Sequence, residues 1–212
     1  MHTNESSAAL HLSDSGEDTF LFIGDVLALD LVNTEVVVRR KPRDLLATPE
    51  DVGQWWRAAQ RSYPDMDVVQ ASGVVRFDLA ALLALKELRT ALRGMFGALA
   101  DGTTPASADI DVVNSVLRTG AHALMLPSSG AVQAVYQAQP GADSMLFAIA
   151  LSALRLVRDG ERQRLHRCSN ERCVLLFYDT TKSATRRWCS LGCMDRARSA
   201  KRYRAAKQRS HS

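Results

Sequence analysis

Cysteine is scarce in this chain and confined to one place: four residues in 212, all between positions 168 and 193. Aromatic residues make up only 6%. No apolar run approaches the twenty or so residues needed to span a bilayer, and Met1 to Thr19 carries no apolar leader core. The expectation is therefore a cytosolic protein with no membrane partner, in a compartment where disulfides are rare. Also missing are a phosphate-cradling glycine motif, a nucleophile elbow, a metalloprotease helix and any internal repeat. With no catalytic constellation, the chain reads as a non-enzyme.

What is present divides into two electrostatic characters. From Arg158 to the end there are 15 Lys and Arg against 5 Asp and Glu, net +10, while the preceding 157 residues hold 12 basic and 18 acidic side chains, net −6. That asymmetry implies two parts with a boundary near Asp159 and Gly160. A hydrophobic share of 46% is enough for a buried core. Residues 1–19, rich in Ser, Asp and Glu, read as a flexible arm.

Along the first part, Phe20 to Val38 is strongly apolar and fits a short strand through Ile23 followed by a helix, with Arg39 to Asp44 as a basic loop broken by Pro42. Thr48-Pro49-Glu50-Asp51 is a helix start: a capping hydroxyl, a proline in the first turn and two acids at the positive dipole end. The adjacent Trp55 and Trp56 on that helix read as core. Asp78 opens the longest helical pattern, Leu79 to Leu99, ending at Gly102. Ser107 caps a shorter helix with Ile110, Val113, Val116 and Leu117 on one side. Ala121 to Gln139 suggests a hairpin turning through Pro127 to Gly130, and Asp143 or Ser144 starts a last helix that runs to Gly160. Asp30, Asn33 and Thr34, polar within an apolar stretch, are candidates for binding a small-molecule effector. Capping and core hydrogen bonding explain them as well.

The second part is built on its thiols. Cys168 and Cys173, then Cys189 and Cys193, present the two-pair spacing of a tetrahedral four-cysteine zinc site. Two disulfides, or four buried thiols, are the alternatives. Val174 to Tyr178, a turn at Asp179 to Ser183 and a return through Arg186 to Trp188 read as a hairpin with too little apolar surface to fold unaided. A structural zinc, worth on the order of 10 kcal/mol in small fingers, would supply the deficit, with Trp188 as a cover. His166 is a spare ligand with no vacancy to fill. From Cys193 the chain reads as a helix with Cys193, Ala197, Ala200 and Tyr203 in a narrow stripe, and seven basic residues between 194 and 212 against one acid, Asp195. Such a segment favours a polyanion over a merely solvated face. Lys182, Arg186, Arg187, Lys201, Arg204, Lys207 and Arg209 are candidates for DNA phosphates, and Arg196, Arg198 and Arg202 for phosphates or base edges.

The segment from Cys168 to Lys207 resembles the CGNR zinc finger family in its cysteine pair, its hydrophobic strand ending in Asp179, its Ser/Arg-rich connector and its Trp188-Cys189-Ser190. Gly24 to Thr34, GDVLALDLVNT, is similar to the opening motif of the ABATE domain that precedes such fingers. Met194 and Asp195 stand where the signature has Gly and Asn, and the second cysteine pair is one residue shorter than usual. The resemblance implies a mainly α (α+β) fold: an ABATE-like helical domain with a small hairpin over 20–160 and a treble-clef-like, DNA-binding finger over 161–212. It further implies a stress-induced transcription regulator, nucleoid-associated when bound to DNA. A homodimer is a further expectation, and an RNA-binding or protein-interaction module is the alternative.

Overall fold

The computed structural model describes residues 20–63, 74–125 and 133–209; the expected N-terminal arm, the loop through Pro64 and Gly73 and the turn at Pro127 to Gly130 lie outside them. Six helices and three two-stranded antiparallel sheets make up the described residues. None of the helices is long and apolar enough to cross a membrane.

At the centre is α1 (Leu27–Val32), a helix of six residues, all buried. The 22-residue α3 (Leu79–Ala100) and the 16-residue α5 (Ser144–Asp159) pack on it, with α2 (Pro49–Ser62) and α4 (Ser107–Leu117) completing the helical shell. The starts of α2, α3 and α5 are chemically capped. Thr48 and Asp51 form a reciprocal capping box, the Asp78 carboxylate accepts from the Ala81 N–H, and Asp143 accepts from Met145 and Leu146. Trp55 and Trp56 are buried in the main core beside Phe96, Leu92 and Ile149, as their helical spacing implies. Two details differ from the sequence reading of α4: Ala106, not Ser107, occupies the cap position, and Ile110 is exposed while Val113 is buried.

The strand expected through Ile23 is absent. Residues 20–26 are irregular because the Asp30 carboxylate gathers the Ile23 and Gly24 N–H groups and turns the chain back onto α1. The basic loop expected at 39–44 is half of a hairpin instead. β1 (Glu35–Val38) pairs with β2 (Lys41–Asp44), Val38 opposite Lys41 and Val37 opposite Pro42. Its two-residue turn is Arg39-Arg40, at φ 49° and 68°. Left-handed backbone at both positions is what a type I′ turn demands, where Asn-Gly is the favoured pair. Arginine there costs about 1–2 kcal/mol per residue. Proline is tolerated in β2 because the sheet has only two strands, so both are edges. The expected hairpin of β3 (Gly120–Met125) and β4 (Gln133–Ala138) forms, Gly120 opposite Ala138. Gly120 cannot be larger: a Cβ there would lie 2.1 Å from the Phe147 ring of α5.

A short 3-10 turn at Arg162–Arg164 leads to β5 (Leu165–Arg167), which pairs antiparallel with β6 (Leu176–Tyr178). The finger hairpin therefore brackets the first cysteine pair, whereas the sequence suggested a partner strand between Arg186 and Trp188. That return segment forms no strand; its Arg187 carbonyl accepts from Ser169 N–H at 2.8 Å. Finally, α6 (Leu191–Arg209) runs 19 residues, about 28 Å at the usual rise. Cys193 alone is buried in it, and Tyr203 is 71% exposed, so the expected stripe ends at Ala200 and the second half of α6 is largely exposed.

Candidate metal centre and its basic helix

Three segments deliver the thiols: the turn between β5 and β6 supplies Cys168 and Cys173, the connector supplies Cys189, and the first turn of α6 supplies Cys193. The four sulfurs lie within 4.8 Å of one another, with Cys173 and Cys189 3.7 Å apart. A zinc ion bonded to four thiolates at about 2.3 Å spaces the sulfurs by about 3.8 Å. The donor set and its spacing therefore fit one closed, structural zinc, and none of the cysteines is in a disulfide. His166 stays outside the cluster, its ring 5.6 Å from that of Phe177.

The surrounding bonds explain how the sequence presents these thiols. Ser190 caps α6 with its hydroxyl, accepting from the Cys193 N–H at 3.2 Å. The Cys189 N–H points at Cys168 Sγ at 3.5 Å. Asn170, buried in the turn, donates to the Cys193 carbonyl at 3.1 Å and accepts from Arg172 N–H, tying the turn to the helix. The Arg196 guanidinium lies 3.1 Å from the Cys193 sulfur, where its charge favours the thiolate form that a dication requires.

The connector is organised by Asp179, which is fully buried. Its carboxylate accepts from Thr181 N–H and Oγ1 and from Arg186 N–H at 2.6–2.9 Å. Burial alone would raise its pKa, but these donors hold it below the usual carboxylate range. Sequence reasoning saw only a turn here. Aspartate directly after a strand and two residues before threonine was the available signal for an Asx-type loop.

The predicted nucleic-acid residues fall into two groups. Lys182, Arg187, Arg198, Lys201, Arg202, Arg204, Lys207 and Arg209 are exposed, as is Arg196, which also reaches the Cys193 sulfur. Arg204 pairs with Glu171 at 3.0 Å on the surface. Arg186 turns inward: its guanidinium lies over the Phe177 ring at 4.6 Å and donates to the Trp188 and Cys189 carbonyls. It closes the connector over the metal site. Trp188 is half-buried against the same cluster, consistent with a cover.

Asp30, Asn33 and Thr34 are brought together on α1 and just after it, and all three are buried. Asp30 accepts from Ile23, Gly24 and the Tyr63 hydroxyl, and burial nonetheless lifts its pKa to about 7. Thr34 accepts from Arg89 at 2.8 Å and donates to the Leu31 carbonyl. The Asn33 amide bonds both backbone groups of Leu176 in β6, donating at 2.8 Å and accepting at 3.0 Å. Their polar atoms are spent on protein partners, so the effector expectation draws no support from them.

A family model described as "Putative stress-induced transcription regulator", ABATE, matches residues 25–160. The chain belongs to the ABATE family. A second model, the CGNR zinc finger, matches residues 164–207 and carries all four cysteines. Together the matches describe a zinc-binding regulator, and the four thiols supply the site for its ion. No curated protein matches the chain. Within the ABATE region Asn33 is a buried grip on the finger, beside the surface pair of Asp101 with Arg167 at 2.8 Å. Arg93 of α3 joins it, donating to the Val32 carbonyl on one side and to the Val174 carbonyl at 3.3 Å on the other.

Proposed function

We propose that this ABATE protein is a cytoplasmic, zinc-dependent transcription regulator that binds duplex DNA through α6, with the helical domain sensing a signal or mediating self-association. The observation that carries the reading is the surface of α6. Seven Lys and Arg side chains, all exposed, share that helix with one acid, Asp195, and it is anchored to the body at the end that carries the buried Cys193. Mutual repulsion disfavours such a helix unless it meets a polyanion. Zinc orders the finger, Lys182, Arg187 and the α6 cations engage phosphates, and one or two of Arg196, Arg198 and Arg202, in the half of α6 nearer the ligand end, read base edges. The role is non-catalytic, because a four-thiolate site leaves no coordination position for water.

The test is a gel-shift series with duplex DNA, structured RNA and a neutral competitor over a range of salt. Duplex binding should weaken about a thousandfold for a fourfold rise in salt if some six phosphates are contacted, and it should vanish on zinc removal. Duplex binding that survives complete chelation would overturn the reading. Preference for RNA, or indifference to both, would move the finger to the RNA-binding or protein-interaction class.

A further inference from the structure

A groove of about 1640 Å³ runs between the finger and the β1–β2 hairpin. Its finger wall carries Arg172 and Arg187 from the metal-site loops and Arg198 and Lys201 from α6, above a floor that includes Cys173, Cys193 and Trp188. The facing wall is the ABATE hairpin, Val36 to Val38 and the turn residues Arg39 and Arg40. Among the described residues, only two acids line the groove. Glu171 is ion-paired with Arg204, and Asp195 lies at the helix start.

The hairpin is unusual in two independent ways. Its turn places two arginines in left-handed backbone, at φ 49° and 68°, where asparagine and glycine would sit without strain. Strain of that kind persists only where the surrounding structure over-determines it, and it clusters at functional sites. In addition, the acids at the hairpin base are already engaged: Glu35 pairs with Arg89 and Arg93, and Asp44 with Arg89 and Lys86. The base of the hairpin is thus neutralised and fixed to α3, while its exposed tip, Arg39-Arg40-Lys41, contains no acid.

We infer that the β1–β2 hairpin is a second nucleic-acid contact, an arm of the ABATE domain whose Arg39 and Arg40 hold phosphates of the same DNA duplex that lies against α6. The arm rests on the reading of α6 as a DNA-binding helix and adds to it. The ABATE domain then contacts DNA directly, and the seating of the finger on that domain sets the spacing between the two contacts. Phosphate contact by a fixed arm contributes affinity and orientation rather than sequence reading.

The experiment uses the full, zinc-loaded chain and a mixed-sequence DNA duplex, with affinity followed by fluorescence anisotropy across a salt series. Three variants are compared with wild type: Arg39→Asn/Arg40→Gly, which suits the turn better while removing both charges; Arg39→Lys/Arg40→Lys, which keeps them; and Arg198→Ala/Lys201→Ala in the finger. The Asn-Gly variant is expected to keep or raise its melting temperature, to lose about five- to tenfold in affinity, and to show a log–log salt slope shallower by about 1.8, two contacts at about 0.9 each. The lysine variant should keep the wild-type slope. An Asn-Gly variant with wild-type affinity and slope, beside a weakened finger variant, overturns the arm and leaves the α6 reading standing. A lysine variant as weak as Asn-Gly also overturns the arm, since charge would not be the cause. Failure of the wild type itself to bind duplex overturns both.

Discussion

The helical domain and the finger are stabilised by different means, although they touch. The domain's core unites residues from α1 to α5, with Trp55, Phe96, Leu85, Leu88, Leu92, Met145 and Ile149 essentially free of solvent. The finger's cluster has seven buried residues, of which three are cysteines and two, Val36 and Leu45, belong to the helical domain. One region is closed by apolar burial, the other by a metal and by surface borrowed from its neighbour. Leu165 and Leu176 show the reverse loan, since these finger residues complete the main core. A boundary drawn at residues 160–164 on electrostatic and family grounds is thus a change of stabilising chemistry more than a gap.

The largest effect that sharpens this contrast comes from the thiols. Cys189→Ser should abolish stoichiometric zinc binding and forfeit metal-linked stabilisation on the order of 10 kcal/mol in the finger. Trp188 fluorescence and metal content would report it, while far-ultraviolet circular dichroism keeps most of the helix signal from α2 to α5. Next comes Phe96→Ala, which should cost about 3–5 kcal/mol by leaving a cavity in the main core. Chemical denaturation should show both regions weakened, because β5 and β6 lean on that core.

Asn33→Ala should follow, at about 2–3 kcal/mol, since it strands the buried N–H and carbonyl of Leu176. Its signature is loosening of the finger against α1 with zinc retained, seen as faster amide exchange at Leu176. The smallest effect, that of Tyr63→Phe, acts through Asp30. Burial raises its folded pKa to about 7 from an unfolded value of about 4, so its contribution is complete below about pH 4 and is lost as pH rises through about 7. The stability difference between wild type and Asp30→Asn should therefore fall over that window. Tyr63→Phe, removing a bond that lowers the Asp30 pKa, should move the midpoint higher and cost about 1 kcal/mol.

Most of the agreement between sequence and structure is local, though the strand through Ile23 and the Ser107 cap were local signals that failed. The caps Thr48, Asp78 and Asp143, the inward tryptophans, the β3–β4 hairpin and the gathering of four thiols all depend on neighbours a few residues apart. Where partners are distant, little was legible. The pairing of β5 with β6 depends on register across the cysteine turn, and the Asn33 bond to Leu176 joins residues 143 positions apart. Arg89 sits in α3 as if on a surface, yet it is buried because Thr34 and Asp44, both far away in sequence, receive its guanidinium. The β1–β2 hairpin was hidden for a different reason: Arg-Arg is a poor type I′ turn and Pro42 a poor strand residue, so local propensity argued against what the tertiary structure holds in place. Tyr203 was misplaced because its helix outruns the surface it packs on.

Apolar packing against the helical domain does not suffice to fold the finger without zinc, while the helical domain folds without the metal. Residue-resolved amide hydrogen exchange on the full chain, with and without chelator, tests it most directly. Removing zinc should abolish protection in the turn over 168–173, at 186–189 and in the first turns of α6, and lower it at β6, with α2, α3 and α5 still protected. Protection of Cys168, Cys189 and Cys193 amides that persists in the metal-free chain would contradict it.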